Sequence, residues 1–383
     1  MKHFDIIIIG GGASGIMCAL NIDKKSVLII EKQDKIGKKI LVTGNGRCNL
    51  TNKNLSSYFY NTKKVDEFFS RFNNFDALNY FHSIGLETYC DSEGRYYPIS
   101  NYSASVLDVM RLSLNKKPNV TILTNHTAEK ISKLNNKYIV DSNEESFSCD
   151  NLVFALGGNF NNIFDFNIKF TPFSPALCSF KTEKNKGLNG IRQKNVVVKF
   201  ANNETYSQQG EILFKDNGIS GICIFNLSMR YNERQNKILD IDLLPNFNHN
   251  QLSELLKYKT NIFDKCENLL TGLFQKQLCL SILEKSNIDV SKSCERLTND
   301  EINAICCTIK NYKLQILGLE NNNQIFNGGV GLDNLTNDLE YLEYKNLFFI
   351  GEACDVSGEC GGYNLQWAWT SGMICSKSLN NKQ

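Results

Sequence analysis

The stretch Phe4-Asp5-Ile6-Ile7-Ile8-Ile9-Gly10-Gly11-Gly12-Ala13-Ser14-Gly15 decides the fold of this 383-residue chain. Asp5–Ile9 is a β-branched run without proline, suited to a strand buried on both faces of a parallel sheet. Gly10, Gly12 and Gly15 then give the G-x-G-x-x-G spacing where a strand turns into a helix. Gly10 permits the tight turn, Gly12 lets backbone approach a pyrophosphate, and Gly15 lets the helix pack on the strand. Ser14–Leu20 reads as that helix, and the N–H groups of its first turn, around Ala13 and Ser14, face the phosphates. Val27–Ile30 reads as the second strand, with Glu31 at its carboxyl end. A carboxylate there can accept both hydroxyls of an adenosine ribose and would repel a 2′-phosphate. Strand context on both sides, together with Glu31, makes this a dinucleotide site unsuited to NADP. Lys32 lies beside it and, with Lys35, Lys38 and Lys39, forms a local basic patch that suits a solvated surface as well as it suits a site.

Composition sets the class. Hydrophobic residues make up 42% and charged residues 21%, ordinary for a globular protein with a large core. A formal net charge of +2 gives no general reason to expect nucleic acid, DNA included, or an acidic membrane surface as partner. No run is long enough to span a bilayer, and the first apolar run is too short for an export signal. The 14 cysteines show no C-x-x-C pair and no zinc-site spacing, so reduced thiols in a cytoplasm are the expectation, most of them small core residues.

Along the chain, residues 1 to about 178 alternate between strand and helix. Val65–Leu86 has helical apolar spacing, with Phe68, Phe69, Phe72 and Phe75 on one face; Val106–Leu114 suggests a further helix and Val120–Leu123 a strand. Lys137–Val140 and Ser146–Cys149 read as paired strands, and Leu152–Leu156 as a buried strand ending in a tight turn at Gly157-Gly158. From Ser179 the texture changes: Asn195–Phe200, Glu211–Phe214 and Ile238–Leu243 suit a small β unit. His249–Lys313 turns helical, and strand and glycine signals return from Gln324, with a strand over Leu347–Ile350 and a helix over Tyr363–Ser376. The expected architecture is an α/β domain split in sequence: residues 1–178 and 321–383 form it, 179–246 an inserted β unit and 247–320 an inserted helical unit.

A second glycine motif follows the Leu347–Ile350 strand. Gly351-Glu352-Ala353-Cys354-Asp355 leads to Gly358 and then Gly361-Gly362-Tyr363-Asn364, which opens a helix holding Trp367 and Trp369. Such a loop offers backbone donors and a positive helix end. Aimed at the N1–C2=O edge of a reduced flavin, it would stabilise the negative charge there. Glu352 or Asp355 can hold ribityl or phosphate-side hydroxyls. With a dinucleotide at the other end of the chain, the cofactor expected is FAD.

Several signatures together resemble the BaiN/YhiN-like, or aminoacetone-oxidase-like, family of FAD-dependent oxidoreductases. They are Gly10–Gly15, Gly37-Lys38-Lys39, Thr43–Asn52 with its Thr-Gly-x-Gly-Arg-Cys-Asn core, Gly94-Arg95-Tyr96-Tyr97-Pro98, Ser103–Asp108, Gly328-Gly329-Val330 and Gly351–Gly372. The resemblance implies a glutathione-reductase-like FAD-binding Rossmann domain, discontinuous, with inserted β-barrel-like and helical units. It implies that Gly10, Gly12, Gly15 and Glu31 serve the ADP half of FAD. Lys39, Gly46, Arg47, Cys48 and Asn49 would lie along the pyrophosphate, ribityl chain and isoalloxazine, with Gly157 nearby. Gly351 belongs to the second loop, and Gly361, Gly362, Tyr363 and Asn364 would sit by the pyrimidine edge. The chain departs from the family pattern at Ala155-Leu156-Gly157-Gly158, in the short loop Asn159–Phe166, around Gln324–Gly331, and at Cys354 and Cys360.

The resemblance also frames the reaction. Family activities include amine oxidation, reduction of double bonds in steroid-like acids, and reduction of uridine to dihydrouridine in ribosomal RNA. The last two share a mechanism in which flavin N5 delivers hydride to one carbon of a C=C bond and a side-chain acid protonates its neighbour. Cys48, Cys360 and Tyr363 are the candidates for that acid, with a packing contact as the plainer role for Cys48. There is no second G-x-G-x-x-G after a strand, so NADH or NADPH would dock transiently as reductant, and without C-x-x-C disulfide reduction is disfavoured. An FAD-dependent reductase with ribosomal RNA uridine as acceptor is the leading expectation. A small-amine oxidase, a steroid-like enoyl reductase and a non-catalytic flavin sensor are the alternatives. Lys184, Lys186, Arg192, Lys194 and Lys199 in the inserted unit could track RNA phosphates, or form a solvated face.

Overall fold

The computed structural model describes residues 1–158, 160–202, 206–321 and 325–382; Asn159 and Gln324, which open two of the altered loops, lie outside them. The chain divides into two units, Met1–Ser174 with Ile325–Gln383, and Pro175–Gln324.

The first unit is built on a seven-stranded sheet. Lys2–Ile9 lies parallel between Val27–Glu31 and Ser146–Phe154, and Val120–Thr124 extends the sheet beyond Val27–Glu31. Leu347–Phe349 adds a parallel strand against the carboxyl half of Ser146–Phe154. One row of the register reads Ile122, Ile29, Ile8, Val153, Phe348. These apolar side chains explain why short β-branched runs suffice: the inner strands are covered on both faces. Ser146–Phe154 is one continuous strand, although its two halves read separately in the sequence. Its first half takes the antiparallel neighbour Lys137–Ser142, which pairs in turn with Ala128–Leu134.

The helix expected over Val65–Leu86 is two, Val65–Phe69 and Asn74–Ser83. Asn73 breaks the run by forming a capping box with Asp76, which starts the second helix. Phe68, Phe69 and Phe72 are buried as expected, but Phe75 falls in the first turn after the cap and is 58% exposed. The last helix, Tyr363–Asn381, runs beyond Ser376 and packs tightly on Ala13–Leu20. Gly372 makes this possible: a Cβ there would lie 2.6 Å from the Ser14 carbonyl.

The second unit has its own core, formed around a closed six-stranded barrel. In barrel order the strands are Phe180–Thr182, Gly218–Ser220, Ser207–Lys215, Arg192–Phe200, Ile238–Asp242 and Tyr312–Leu319. Three helices, His249–Thr260, Lys276–Lys285 and Asn299–Lys310, come between the last two strands in sequence. Residues 312–319, grouped with the helical unit in the sequence reading, are therefore barrel. Their burial alternates strictly from Tyr312 to Leu317, the period of a strand with one wet face. No helix among the described residues is long and apolar enough to cross a membrane.

Candidate functional site

The first strand ends in a turn that only small residues can make. Gly10 has φ +107°, and a Cβ on it would lie 2.4 Å from the Ala155 carbonyl; a Cβ on Gly15 would lie 2.1 Å from the Gly10 carbonyl. Helix and strand are thus in backbone contact. Gly12 caps the Ala13–Leu20 helix without a side-chain cap bond, and a Cβ on it would meet nothing within 4 Å. The free helix end, with no acidic residue in its first turn, opens onto space an anion can occupy. Glu31 braces the turn: its Oε2 accepts the Gly11 N–H at 2.8 Å and its Oε1 the Gln33 N–H at 2.8 Å. Each oxygen keeps a lone pair for a ribose hydroxyl. Lys32 is exposed.

The carboxyl-terminal segment meets this turn directly. A Cβ on Gly351, which has φ +62°, would lie 2.5 Å from Ser14 Oγ. The Gly351 N–H donates to Ser371 Oγ, and its carbonyl accepts the Trp367 indole N–H, both at 2.9 Å. Lys39 forms an ion pair with Glu352 Oε2 at 2.7 Å. Glu352 Oε1 is buried with no hydrogen-bond partner among the described residues. Gly157, at φ +82°, approaches the same carboxylate.

A second junction joins Asn49 to the start of the last helix. Gly362 has φ +97°, and a Cβ on it would clash at 2.7 Å with both Asn49 Oδ1 and the Thr51 carbonyl. Asn49 is 8% exposed and its Oδ1 has no partner among the described residues. Cys48 is fully buried, and burial pushes its thiol up to about 12 against a smaller opposing effect of Thr43. Arg47 is exposed, its guanidinium 4.5 Å from the Tyr97 ring centroid, and Gly46 beside it has φ +80°.

Three expected site residues are occupied in building the loop. Asn364 closes it, accepting the Gly358 N–H at 2.8 Å and donating to the Gly358 carbonyl at 2.6 Å. Asp355 accepts from Asn61 and from the Gly328 N–H, both at 3.1 Å. Tyr363 stacks on Phe59 at 4.6 Å, and its hydroxyl, with its pKa raised by burial, is directed at the Asn54 carbonyl. Gly361 at φ +138° offers its carbonyl to Asn52 Nδ2. Cys360 is partly exposed, and burial followed by the Glu359 charge raises its thiol to about 12. Sequence reading missed the buried row Thr51–Gln366–Thr370, whose bonds of 2.6 and 3.0 Å tie the Asn49 segment to the last helix. Polar residues inside an otherwise apolar helix were its signal.

FAD fits this arrangement. It needs an anion cradle at one end and acceptors for hydroxyl and N–H groups along its length. The open Gly12 turn and the orphaned oxygens of Glu352 and Asn49 supply them. Of the 14 free cysteines, only Cys90 and Cys307 are exposed, and no metal-ligand cluster occurs among the described residues.

Comparison with known proteins agrees. Residues 4–162 match the HI0933-like protein Rossmann domain and residues 174–324 the HI0933-like protein barrel and H2TH domain. The chain is 31% identical to a 3-dehydro-bile acid delta(4,6)-reductase of Clostridium scindens, over 97% of this chain and 98% of the relative. It is 26% identical to a ribosomal RNA dihydrouridine synthase of Haemophilus influenzae over the full length of both. Against the protein of that name from Escherichia coli identity is 27%, over 99% and 98% of the two chains. With two domain models covering most of its length and relatives matching end to end, the chain belongs to the HI0933-like family of FAD-dependent oxidoreductases.

Proposed function

We propose that this protein reduces a carbon–carbon double bond conjugated to a carbonyl, with NADH or NADPH as electron source and uridine in ribosomal RNA as acceptor, in the cytoplasm. The observation that carries this reading is the end-to-end likeness to relatives whose names all describe saturating such a bond. Bound FAD supplies the two-electron hydride chemistry between reductant and acceptor. The protein holds and orients it: the Gly12 turn takes the pyrophosphate, Glu31 the adenosine ribose, and Lys39 with Glu352 the chain between. Asn49 and the Gly361–Gly362 backbone take the pyrimidine edge.

The acceptor gains a hydride at one carbon and a proton at its neighbour, while the nicotinamide is oxidised. Among the three candidate acids, Cys360 alone is only partly buried, so it is the proton donor we favour over Cys48 and Tyr363. A thiol near 12 stays protonated throughout the neutral range and is reprotonated by solvent after each turnover. A second reading, a steroid-like enone as acceptor, is favoured by the 31% identity to the bile-acid relative.

The test is anaerobic reduction of the flavin-loaded protein by NADH or NADPH, followed by unmodified ribosomal RNA or a 3-oxo-4,6-diene steroid acid. Reoxidation by RNA with dihydrouridine formed is the expected result. Reoxidation only by the steroid supports the second reading. Rapid reoxidation by oxygen with peroxide release, and by neither acceptor, would overturn both in favour of an oxidase.

A further inference from the structure

The barrel unit carries a cavity of about 510 Å³, lined among others by Lys199, Ser207, Asp240, Asp242, His249 and Lys310. That volume is in the range of small-molecule sites. Its charged groups divide into those already committed and those not. Lys310 bridges Asp242 at 2.6 Å and donates to the carbonyls of Leu244 and Phe247 at 3.1 and 2.7 Å. The other Asp242 oxygen accepts the Leu244 N–H at 3.0 Å. This pair is internally complete. Asp240 is not: it is 9% exposed, and its Oδ1 is buried without a hydrogen-bond partner among the described residues. A buried carboxylate oxygen left unpaired is costly, so its persistence calls for a donor from outside.

The sheet register says what surrounds that oxygen. Lys199 stands opposite Asp240 on one side and Lys313 opposite it on the other. Directly opposed residues point to the same face, and neighbouring strands lie about 4.8 Å apart. The alternate residues Val198, Ile241 and Tyr312 are buried in the barrel, which leaves the Lys199–Asp240–Lys313 row on its outer face. The row presents donor, acceptor, donor.

Simple ligands match only part of it. A phosphate would suit the lysines and be repelled by Asp240. An amine would suit Asp240 and be repelled by both lysines. A planar imide, carbonyl–N–H–carbonyl, satisfies all three positions, and uracil carries that edge. Cytosine does not, because its unprotonated ring nitrogen would set lone pair against lone pair at Asp240. We propose that the outer-face row adjoining this cavity binds uracil through its imide edge, Asp240 accepting the ring N–H while Lys199, which lines the cavity, and Lys313, which lies outside its lining, donate to the flanking carbonyls. This deepens, and for its biological use rests on, the reading of uridine-bearing RNA as acceptor.

The test is equilibrium binding of uridine and cytidine monophosphates, and of short oligouridylate and oligocytidylate, to the flavin-loaded full chain. Uridine ligands are expected to bind about tenfold or more tighter than their cytidine counterparts, the effect of one well-made hydrogen bond to a charged group. Asp240→Leu should abolish that preference while leaving flavin content unchanged and thermal stability no lower, since it removes an unpaired carboxylate. Lys199→Gln, which removes one of the two positive charges beside Asp240 but keeps a donor there, should weaken uridine binding without reversing the preference. Equal affinity for mononucleotide and oligomer assigns the site to a free nucleotide, and tighter oligomer binding assigns it to RNA; both uphold the imide site. Equal binding of uridine and cytidine ligands, or uridine binding untouched in both variants, overturns it. If the site is confirmed but ribosomal RNA is never reduced, the reading of the acceptor fails alone. If RNA is reduced equally well by wild type and Asp240→Leu with no uracil preference, the site fails alone.

Discussion

At the scale of single residues, the site is defined by atoms that lack a partner among the described residues. Glu352 has one oxygen held by Lys39 and one orphaned, so its replacement should act on cofactor affinity. Glu352→Ala is expected to weaken FAD binding about tenfold or more, the worth of a hydrogen bond to a charged group, as read by flavin fluorescence titration. Unchanged affinity would remove Glu352 from the site. Cys360 gives a sign for pH. Its pKa is raised by burial to about 12, so the protonated, donating form persists as pH rises and is lost only on approaching that value. Turnover should show no alkaline loss attributable to it below about pH 10, and Cys360→Ala should slow acceptor reduction while leaving flavin reduction by NADH or NADPH intact. An alkaline limb near pH 8 that vanishes in Cys360→Ala would contradict this placement. The glycines of the first turn were legible because a backbone clash at 2.1 Å permits no other residue at Gly15. Asn49 could be named from its motif, but its orphaned oxygen could not, because being unpartnered is a property of packing.

At the scale of elements, the last helix carries the junction. Gln366 is fully buried and links Thr51 to Thr370, whose hydroxyl donates in turn to the Phe72 carbonyl at 2.9 Å. Gln366→Leu leaves buried hydroxyls short of a partner and should cost about 1–3 kcal/mol in chemical denaturation. A neutral effect would show that the row contributes nothing to stability. Helix and strand periods identified most elements, and failed where a local signal competed. The Asn73 capping box split an apolar run that looked continuous. Tyr312–Leu319 followed a helix closely enough to share its window, although its alternation belongs to the barrel.

At the scale of the whole molecule, each of the two units has a contiguous apolar core of its own. Residues 175–321 expressed alone should therefore unfold cooperatively on heating and bind no flavin. A molten fragment would show that its core depends on the rest of the chain. Discontinuity was legible because strand and glycine signals return near residue 324, while the barrel was expected from the family resemblance alone, since pairing across more than a hundred residues leaves no local trace. The central claim is that the Gly12 turn and the Gly351–Gly362 loop grip one FAD molecule. Flavin stoichiometry of the purified chain, reconstituted with FAD and freed of excess by gel filtration, tests it most directly. One FAD retained per chain is the predicted result, and a folded, colourless protein that retains none would contradict it.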